Sequence, residues 1–438
     1  MPGVISDVQA LADAPAISDA PAASDAPAHI AHQATRTRTR RRTASFALDV
    51  SILAALLAAS SAPTPLYPLY QDQWGLSALA VTVVFSAYAL ALLLALLTTG
   101  ALSDHLGRRP VLAGALLMAA ASMVLLASAD GAGSLTIARV LQGAATGAAT
   151  SAAGAALLDL ENPRRPGLSA LANSVTPVAG MATGVLVSTL LVRFAPAPTV
   201  TVFVLLAALF LAQAIAATFT TETAHRRVGA LRSLRPRAGV PPPVRRTLLA
   251  AGAAVGTVWA LGGFYSSLGP ALVGLVAPDA PQAARGMVFF TLSATAALTV
   301  WALRRRPPRA TAIGGCLSVL PAAALTLSGL HGAGLPAVYG GAVLAGIAFG
   351  AVSQGALRML LASLDERDRA ATLAAYYILS YLSMSLPAVA AGAATQHYGL
   401  GTTSHAYAIT AALLALAALA ALTASRRGAA RPEADRSH

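Results

Sequence analysis

Runs of about 18 or more mostly apolar residues follow one another along most of this chain, broken by short segments of Arg, Gly and Pro. A helix rises about 1.5 Å per residue, so about 20 apolar residues cross the roughly 30 Å hydrocarbon layer of a bilayer. The 438 residues are 56% hydrophobic and 11% charged, against about half and a quarter in ordinary soluble proteins. The expected class is therefore an all-α polytopic membrane protein. A single water-soluble domain is excluded.

The breaks place twelve spans near 46–69, 77–101, 110–129, 134–158, 168–192, 199–220, 247–275, 286–303, 310–330, 335–361, 370–394 and 403–424. Residues 221–246 carry seven arginines and the run Pro241 to Pro243, so they read as a linker between two six-helix bundles, 46–220 and 247–424. Residues 1–45 repeat Asp-Ala-Pro-Ala from Asp13, Asp19 and Asp25 and then turn basic. This composition is expected to form a disordered cytoplasmic tail, and 425–438 a second tail.

Arginines disfavour translocation of short loops. Twenty-six lie in the two tails and the loops on their side, and two, Arg193 and Arg285, on the other. Both termini are expected in the cytoplasm of a multi-pass protein of the cell membrane, with Arg232 inside and Asp130 to Gly133 outside. Arg139 and Arg358 fall within apolar runs.

The charges also narrow the chemistry. All 30 basic residues are arginine, which excludes a GxxxxGK[ST] phosphate loop and Schiff-base lysine chemistry. The clusters between apolar runs read as membrane topology, so no nucleic-acid partner is expected. The lone Cys316 excludes an internal disulfide and a cysteine-based metal site. No metal or cofactor is expected.

An internal repeat divides the chain in two. Val140-Leu141-Gln142-Gly143 with Gly147 matches Val343-Leu344-Ala345-Gly346 with Gly350, and Ser60-Ser61-Ala62-Pro63 resembles Ser266-Ser267-Leu268-Gly269-Pro270. Paired matches at corresponding places are what a duplicated transporter bundle produces, with substrate handled between the repeats.

Between spans 2 and 3 stands Gly100-Ala101-Leu102-Ser103-Asp104-His105-Leu106-Gly107-Arg108-Arg109-Pro110. Small residues allow close helix approach, a carboxylate and two guanidiniums sit at the rim, and proline starts the next helix. This segment resembles the GxLaDrxGrr loop of the major facilitator superfamily, with His105 where the family usually has arginine. The resemblance implies that Asp104 fastens the loop to the start of span 11. It also implies that the arginines pair with acids near the end of span 4, where Asp159 and Glu161 stand. The equivalent loop of the second half, Arg304 to Arg309, has no acid, so any latch is asymmetric.

In span 4, Arg139, Gln142, Gly143 and Gly147 resemble the superfamily's RxxQG motif. An intramembrane arginine costs roughly 2.5 to 3.5 kcal/mol on insertion scales and normally faces a wet cavity or a partner. Snorkelling to the outer surface is the alternative. In span 5, Pro177, Gly180 and Gly184 resemble, imperfectly, a glycine and proline motif of antiporters, in which the helix can bend. Asp49 is a candidate proton carrier or a plain interfacial carboxylate. Arg358 is expected at a rim with Asp365 and Glu366. Tyr88, Thr146, Asn173, Trp259, Tyr265, Gln354, Tyr377 and Tyr381 are candidates for a cavity wall, although aromatic residues also occupy bundle interfaces and membrane rims.

The resemblance covers about 46–424 and implies two pseudo-symmetric bundles around a central cavity exposed alternately to each side. The expected function is secondary active transport by a monomer embedded in lipid. A proton gradient would drive export of small, drug-like or amphipathic molecules. Uptake of a sugar or organic acid is the alternative. A receptor or membrane-embedded enzyme is a third reading, but no span carries a histidine pair at i, i+4.

Overall fold

The computed structural model describes residues 25–224, 227–230, 234, 242–362, 364 and 366–429. Arg232, Ser233 and Asp365 lie outside them. The described residues are helical and contain no strand.

Five helices carry the first five spans: α1 (Asp25–Ser61), α3 (Ala78–Thr99), α5 (Arg108–Ala127), α6 (Ala132–Asp159) and α7 (Leu168–Phe194). A sixth, α8 (Pro198–Ala217), completes the first half. Two short helices, α2 (Tyr67–Trp74) and α4 (Leu102–Leu106), lie in loops. The second half holds α9 (Pro242–Ser267), α10 (Gly269–Val276), α11 (Gln282–Leu303), α12 (Pro308–Ser328), α13 (Gly334–Leu361) and α14 (Glu366–Ala429).

Glycines set the sharpest turns. The segment α14 has 64 residues, about three times what one crossing needs. It divides at Gly399, whose φ of 79° suits a residue without a side chain. Between α12 and α13 the chain turns through Gly332 and Gly334, both at positive φ. Among the described residues nine stretches are long and apolar enough to cross a membrane, and two of these, Pro308–Leu361 and Ala371–Ala424, are such double helices. The 28-residue α6 is not one of the nine. It is rich in Ala, Gly and Thr, and its small residues are buried against neighbouring helices rather than lipid.

Two expected boundaries move at the first span, and the seventh span, expected to reach 275, likewise stops at Ser267 before the short α10. Helix replaces the expected disorder from Asp25 to 45, where α1 runs continuously into the first span. Nucleation is the costly step in helix formation, and the span has already paid for it, so arginine-rich residues extend the helix easily. The first span also stops at Ser61 rather than 69. Pro63, Pro65 and Pro68 lack the N–H that helix continuation needs, and the chain passes through a short 3-10 turn, Thr64–Leu66, into α2.

Each half has its own apolar core. Leu53, Leu116, Phe203 and Phe210 belong to the first. Val258, Leu272, Phe289 and Val338 belong to the second. Within each core a pair of glycines lets two helices touch backbone to backbone. A Cβ on Gly143 or Gly147 of α6 would strike the carbonyl oxygens of Tyr88 or Leu92 in α3, and a Cβ on Gly346 or Gly350 of α13 would strike those of Leu292 or Ala296 in α11.

The halves join through α3 with the first part of α14 and α7 with α11. Several of these contacts cluster at the end that carries α2 and α10, opposite the termini. Gly286 packs so closely on Pro65 and Thr189 that a Cβ there would lie 2.8 Å and 2.9 Å from their atoms. Gly392 packs against Leu79 and Thr82, and the Ser86 hydroxyl donates to the Ser385 carbonyl at 3.2 Å.

Candidate functional site

At the terminal face, the α4–α5 loop is held by a charge cluster around Arg108. Its Nη1 lies 2.5 Å from Asp104 Oδ1 and donates to the Ser103 hydroxyl at 2.6 Å. Its Nε reaches Asp159 Oδ2, at the end of α6, at 3.3 Å. Thr223 donates to the same Asp159 oxygen at 2.8 Å. Arg42 Nη2 donates to the Asp159 backbone carbonyl at 3.1 Å, which ties α1 to the cluster.

The sequence reading missed a third carboxylate of this rim. Glu222, just after α8, accepts the backbone N–H groups of Arg108 at 2.8 Å and Arg109 at 3.1 Å. These are orphan donors at the start of α5, where a carboxylate also meets the positive end of the helix dipole. Gly107, at φ 102°, has no room for a side chain, because a Cβ would lie 2.7 Å from Glu222 Oε2. Glu161 turns away from the arginines, and its Oε1 accepts from the backbone N–H of Gly167 at 2.5 Å. The Arg109 side chain makes no ion pair among the described residues. The expected rim of Arg358 with Asp365 and Glu366 falls on side chains outside the described ones. Arg358 donates to the Arg306 carbonyl at 3.0 Å. Gly100 packs near the Ser151 hydroxyl, 3.9 Å from where a Cβ would stand.

Arg139 does not snorkel. It is 1% exposed, and its Nη1 donates to the Ser60 carbonyl at 3.0 Å and to Gln142 Oε1 at 2.6 Å. Gln142 Nε2 in turn donates to the Ala59 carbonyl at 2.9 Å, so both side chains grip the end of α1. The guanidinium carbon sits 4.3 Å from the centre of the Tyr88 ring, an attractive cation–π arrangement. Its Nε and Nη2 have no hydrogen-bond partner, and no carboxylate pairs with it among the described residues. A buried charge with two unused donors is an incomplete constellation, able to take a water or a passing polar group. Asp49, 2% exposed in α1, likewise makes no ion pair among the described residues.

In α7 the helix runs through Pro177 without a non-helical residue. Gly180 and Gly184 pack directly on the backbone of Ala54 and Ala58 in α1, so these glycines hold α7 to α1.

A small cavity lies between the halves, about 40 Å³ in volume. The first half contributes Ser60, Ser61, Phe85, Tyr88 and Met181, and the second Ser266, Phe289, Ser293, Phe349 and Met384. No lining side chain is charged. Of the eight expected wall residues the cavity takes only Tyr88. Trp259, Tyr377 and Tyr381 form an aromatic group beside it, with Trp259 5.4 Å from Phe349 and 5.2 Å from Tyr381, ring centre to ring centre. Tyr377 follows at 6.3 Å from Tyr381. The others serve packing: Asn173 donates to the Gly154 carbonyl at 3.2 Å, and Gln354 to the Val300 carbonyl at 3.0 Å. Tyr265 shares a hydrogen bond with Thr326 at 2.8 Å, and Thr146 donates to the Gln142 carbonyl at 2.8 Å.

Solved structures share this architecture. A bacterial homologue of the human lysosomal transporter Spinster, in an inward-facing and unoccupied conformation, superposes with a TM-score of 0.69 at 15% identity, over 87% of this chain and 98% of that one. The human organic anion transporter MFSD10 gives 0.62 at 20% identity, over 88% and 99%. The nucleoside transporter NupG gives 0.64 at 12% identity, over 87% and 98%. At these identities the likeness is one of fold. Comparison with curated protein sequences gives no match. The sequence profile described as Major Facilitator Superfamily matches residues 50–277, more than half of the chain. The protein therefore belongs to the Major Facilitator Superfamily, a family of multi-pass membrane transporters and not of enzymes.

Proposed function

We propose that this chain is a proton-coupled exporter of small, drug-like or amphipathic molecules, working by alternating access as a monomer with both termini in the cytoplasm. The central cavity carries the reading. Its wall is aromatic, aliphatic and thioether, with serine hydroxyls and no charge. Such a wall favours a largely apolar guest with a few polar groups, and Met181 and Met384 can adapt to guests of different shape. One chain supplies both sides of the cavity, so a second copy is not needed to form it.

The energy source in this reading is a proton gradient. Arginine does not release its proton, so Arg139 would act on a mobile neighbour, holding water or a polar group while the cavity changes sides. Asp49 is the candidate titrating group, because it is a carboxylate buried in α1 that makes no ion pair among the described residues. Gln142 shares the Arg139 network, and Gly143 and Gly147 allow α6 and α3 to pack closely around it. Asp104 would be the latch, making and breaking a contact with the start of span 11 as the halves rock, while Arg108 and Asp159 hold its loop in place within the first half.

Reconstituted protein loaded with a compound library tests this directly. Amphipathic compounds should move against their own gradient only while protons move the opposite way, and an uncoupler should stop them. Movement of substrate in the same direction as protons would assign uptake instead. Flux that is indifferent to the uncoupler would remove the proton from the account.

A further inference from the structure

We infer that His331 and His405 form a binding site for a divalent transition metal, with zinc the best fit, on the face opposite the chain termini. His331 lies in the glycine turn between α12 and α13, and His405 lies six residues past the Gly399 turn that opens span 12. The two are 74 residues apart in sequence, and their Nε2 atoms stand 3.3 Å from each other.

The tautomers follow from the other ring nitrogens. His331 Nδ1 is 2.8 Å from the Leu327 carbonyl, and His405 Nδ1 is 2.7 Å from the Gly401 carbonyl. A carbonyl oxygen only accepts, so each Nδ1 carries the hydrogen. In the neutral rings each Nε2 then presents a lone pair, and two lone pairs face one another with no hydrogen between them. A cation placed between them resolves this arrangement. Zinc–nitrogen bonds of about 2.0–2.1 Å opened to a tetrahedral angle put two ligand nitrogens about 3.3–3.4 Å apart. The observed separation matches that edge.

The surroundings fit the same assignment. A metal-binding histidine usually donates its second N–H to a carbonyl or carboxylate, which fixes the ring and makes the free nitrogen more basic. Both rings do so here. They meet edge to face at 84°, with centres 4.8 Å apart, rather than stacking. His331 is exposed and His405 half-buried, so an ion can enter from solvent. Among the described residues no group of three or more His, Cys, Asp or Glu side chains gathers, so water completes the coordination shell. The bound ion would staple the turn between α12 and α13 to the start of span 12. Both parts lie in the second half, so the staple would stiffen that bundle without bridging it to the first.

The test uses the full-length protein without a histidine tag, purified with a chelator and then dialysed free of it. Zinc binding is followed by calorimetry, by the absorption spectrum of cobalt as a substitute, and by the melting temperature with and without zinc. Wild-type protein should bind one zinc per chain, give a tetrahedral cobalt spectrum and melt higher with zinc, since a ligand that binds only the folded state stabilises it. His331→Gln and His405→Gln should each weaken zinc binding at least tenfold and lose the zinc-dependent rise, while melting like wild type without metal. Equal zinc binding in wild type and both variants would place the ion elsewhere and overturn the assignment. Absence of zinc binding in wild type would also overturn it, leaving the two rings joined by a shared proton.

Discussion

The two halves of the molecule share the same packing but not the same chemistry. Gly143 and Gly147 seat α6 on α3, and Gly346 and Gly350 seat α13 on α11, each against a backbone carbonyl. The polar residues beside the first pair have no copies beside the second. At the repeat spacing, Arg139 and Gln142 correspond to Ala342 and Ala345. The rims differ in the same way. Arg108 is held by the carboxylates of Asp104 and Asp159, whereas the second half's arginines turn to carbonyls and a ring. Arg304 donates to the Trp301 carbonyl at 2.6 Å and lies 4.6 Å from the Trp301 ring centre. Arg309 donates to the Leu422 carbonyl. The packing that both bundles need in order to fold is thus shared, while among the described residues only the first bundle has a buried guanidinium and a carboxylate rim.

The comparison can be broken most severely at the glycines. Gly143→Leu and Gly346→Leu should both abolish most of the folded, monodisperse protein, because the obstacle is backbone and cannot move aside as a side chain can; overpacking alone commonly costs about 1–3 kcal/mol. Gly114→Leu, at a position with nothing within 4 Å, should behave like wild type. If only the first-half variant collapses, the packing is not equivalent. Size-exclusion profiles of the three variants decide this.

A smaller effect is expected at the rims, and on one side only. Asp104→Asn removes a charge-assisted contact of roughly 1.5–3 kcal/mol. It should slow flux by about 10- to 100-fold in protein of normal abundance, whereas Arg305→Gln should leave flux near wild type. Equal losses would show that both rims work as latches. The smallest effect belongs to Glu222→Gln. It weakens a carboxylate cap worth about 0.5–2 kcal/mol, so the melting temperature should fall by a few degrees with modest change in flux.

Which of these features the sequence reveals depends on how far apart their parts lie. The Asp104–Arg108 pair is four residues apart across the Gly107 turn and the Arg139–Gln142 pair three apart on one helix, so nearness along the chain brings each together. Glu222 stands 114 residues from the N–H group it caps, and although it is the one carboxylate of the arginine-rich linker, nothing near it in sequence points to α5. The cavity wall was hidden for a different reason. Phe85, Met181, Phe289 and Met384 are apolar residues in apolar helices, and only the fold separates those that face the gap from those that face the core or lipid. The polar residues that stood out, such as Asn173 and Gln354, instead hold one helix to the next. The helix from Asp25 to 45 escaped because its composition looks disordered when considered apart from the span that extends it. His331 and His405 meet only because two glycine turns bring distant helices to the same end.

The account rests on Arg139, the buried charge that the second half lacks. Gradient-driven flux of reconstituted Arg139→Ala and Arg139→Lys, compared with wild type at matched amounts of folded protein, tests it most directly. Lysine keeps the charge but loses the planar fork that reaches Ser60 and Gln142 together, while alanine loses both. The predicted result is no gradient-driven flux with alanine and partial flux with lysine, with neither variant lowering the yield of folded protein much. Wild-type rates in Arg139→Ala would contradict the account.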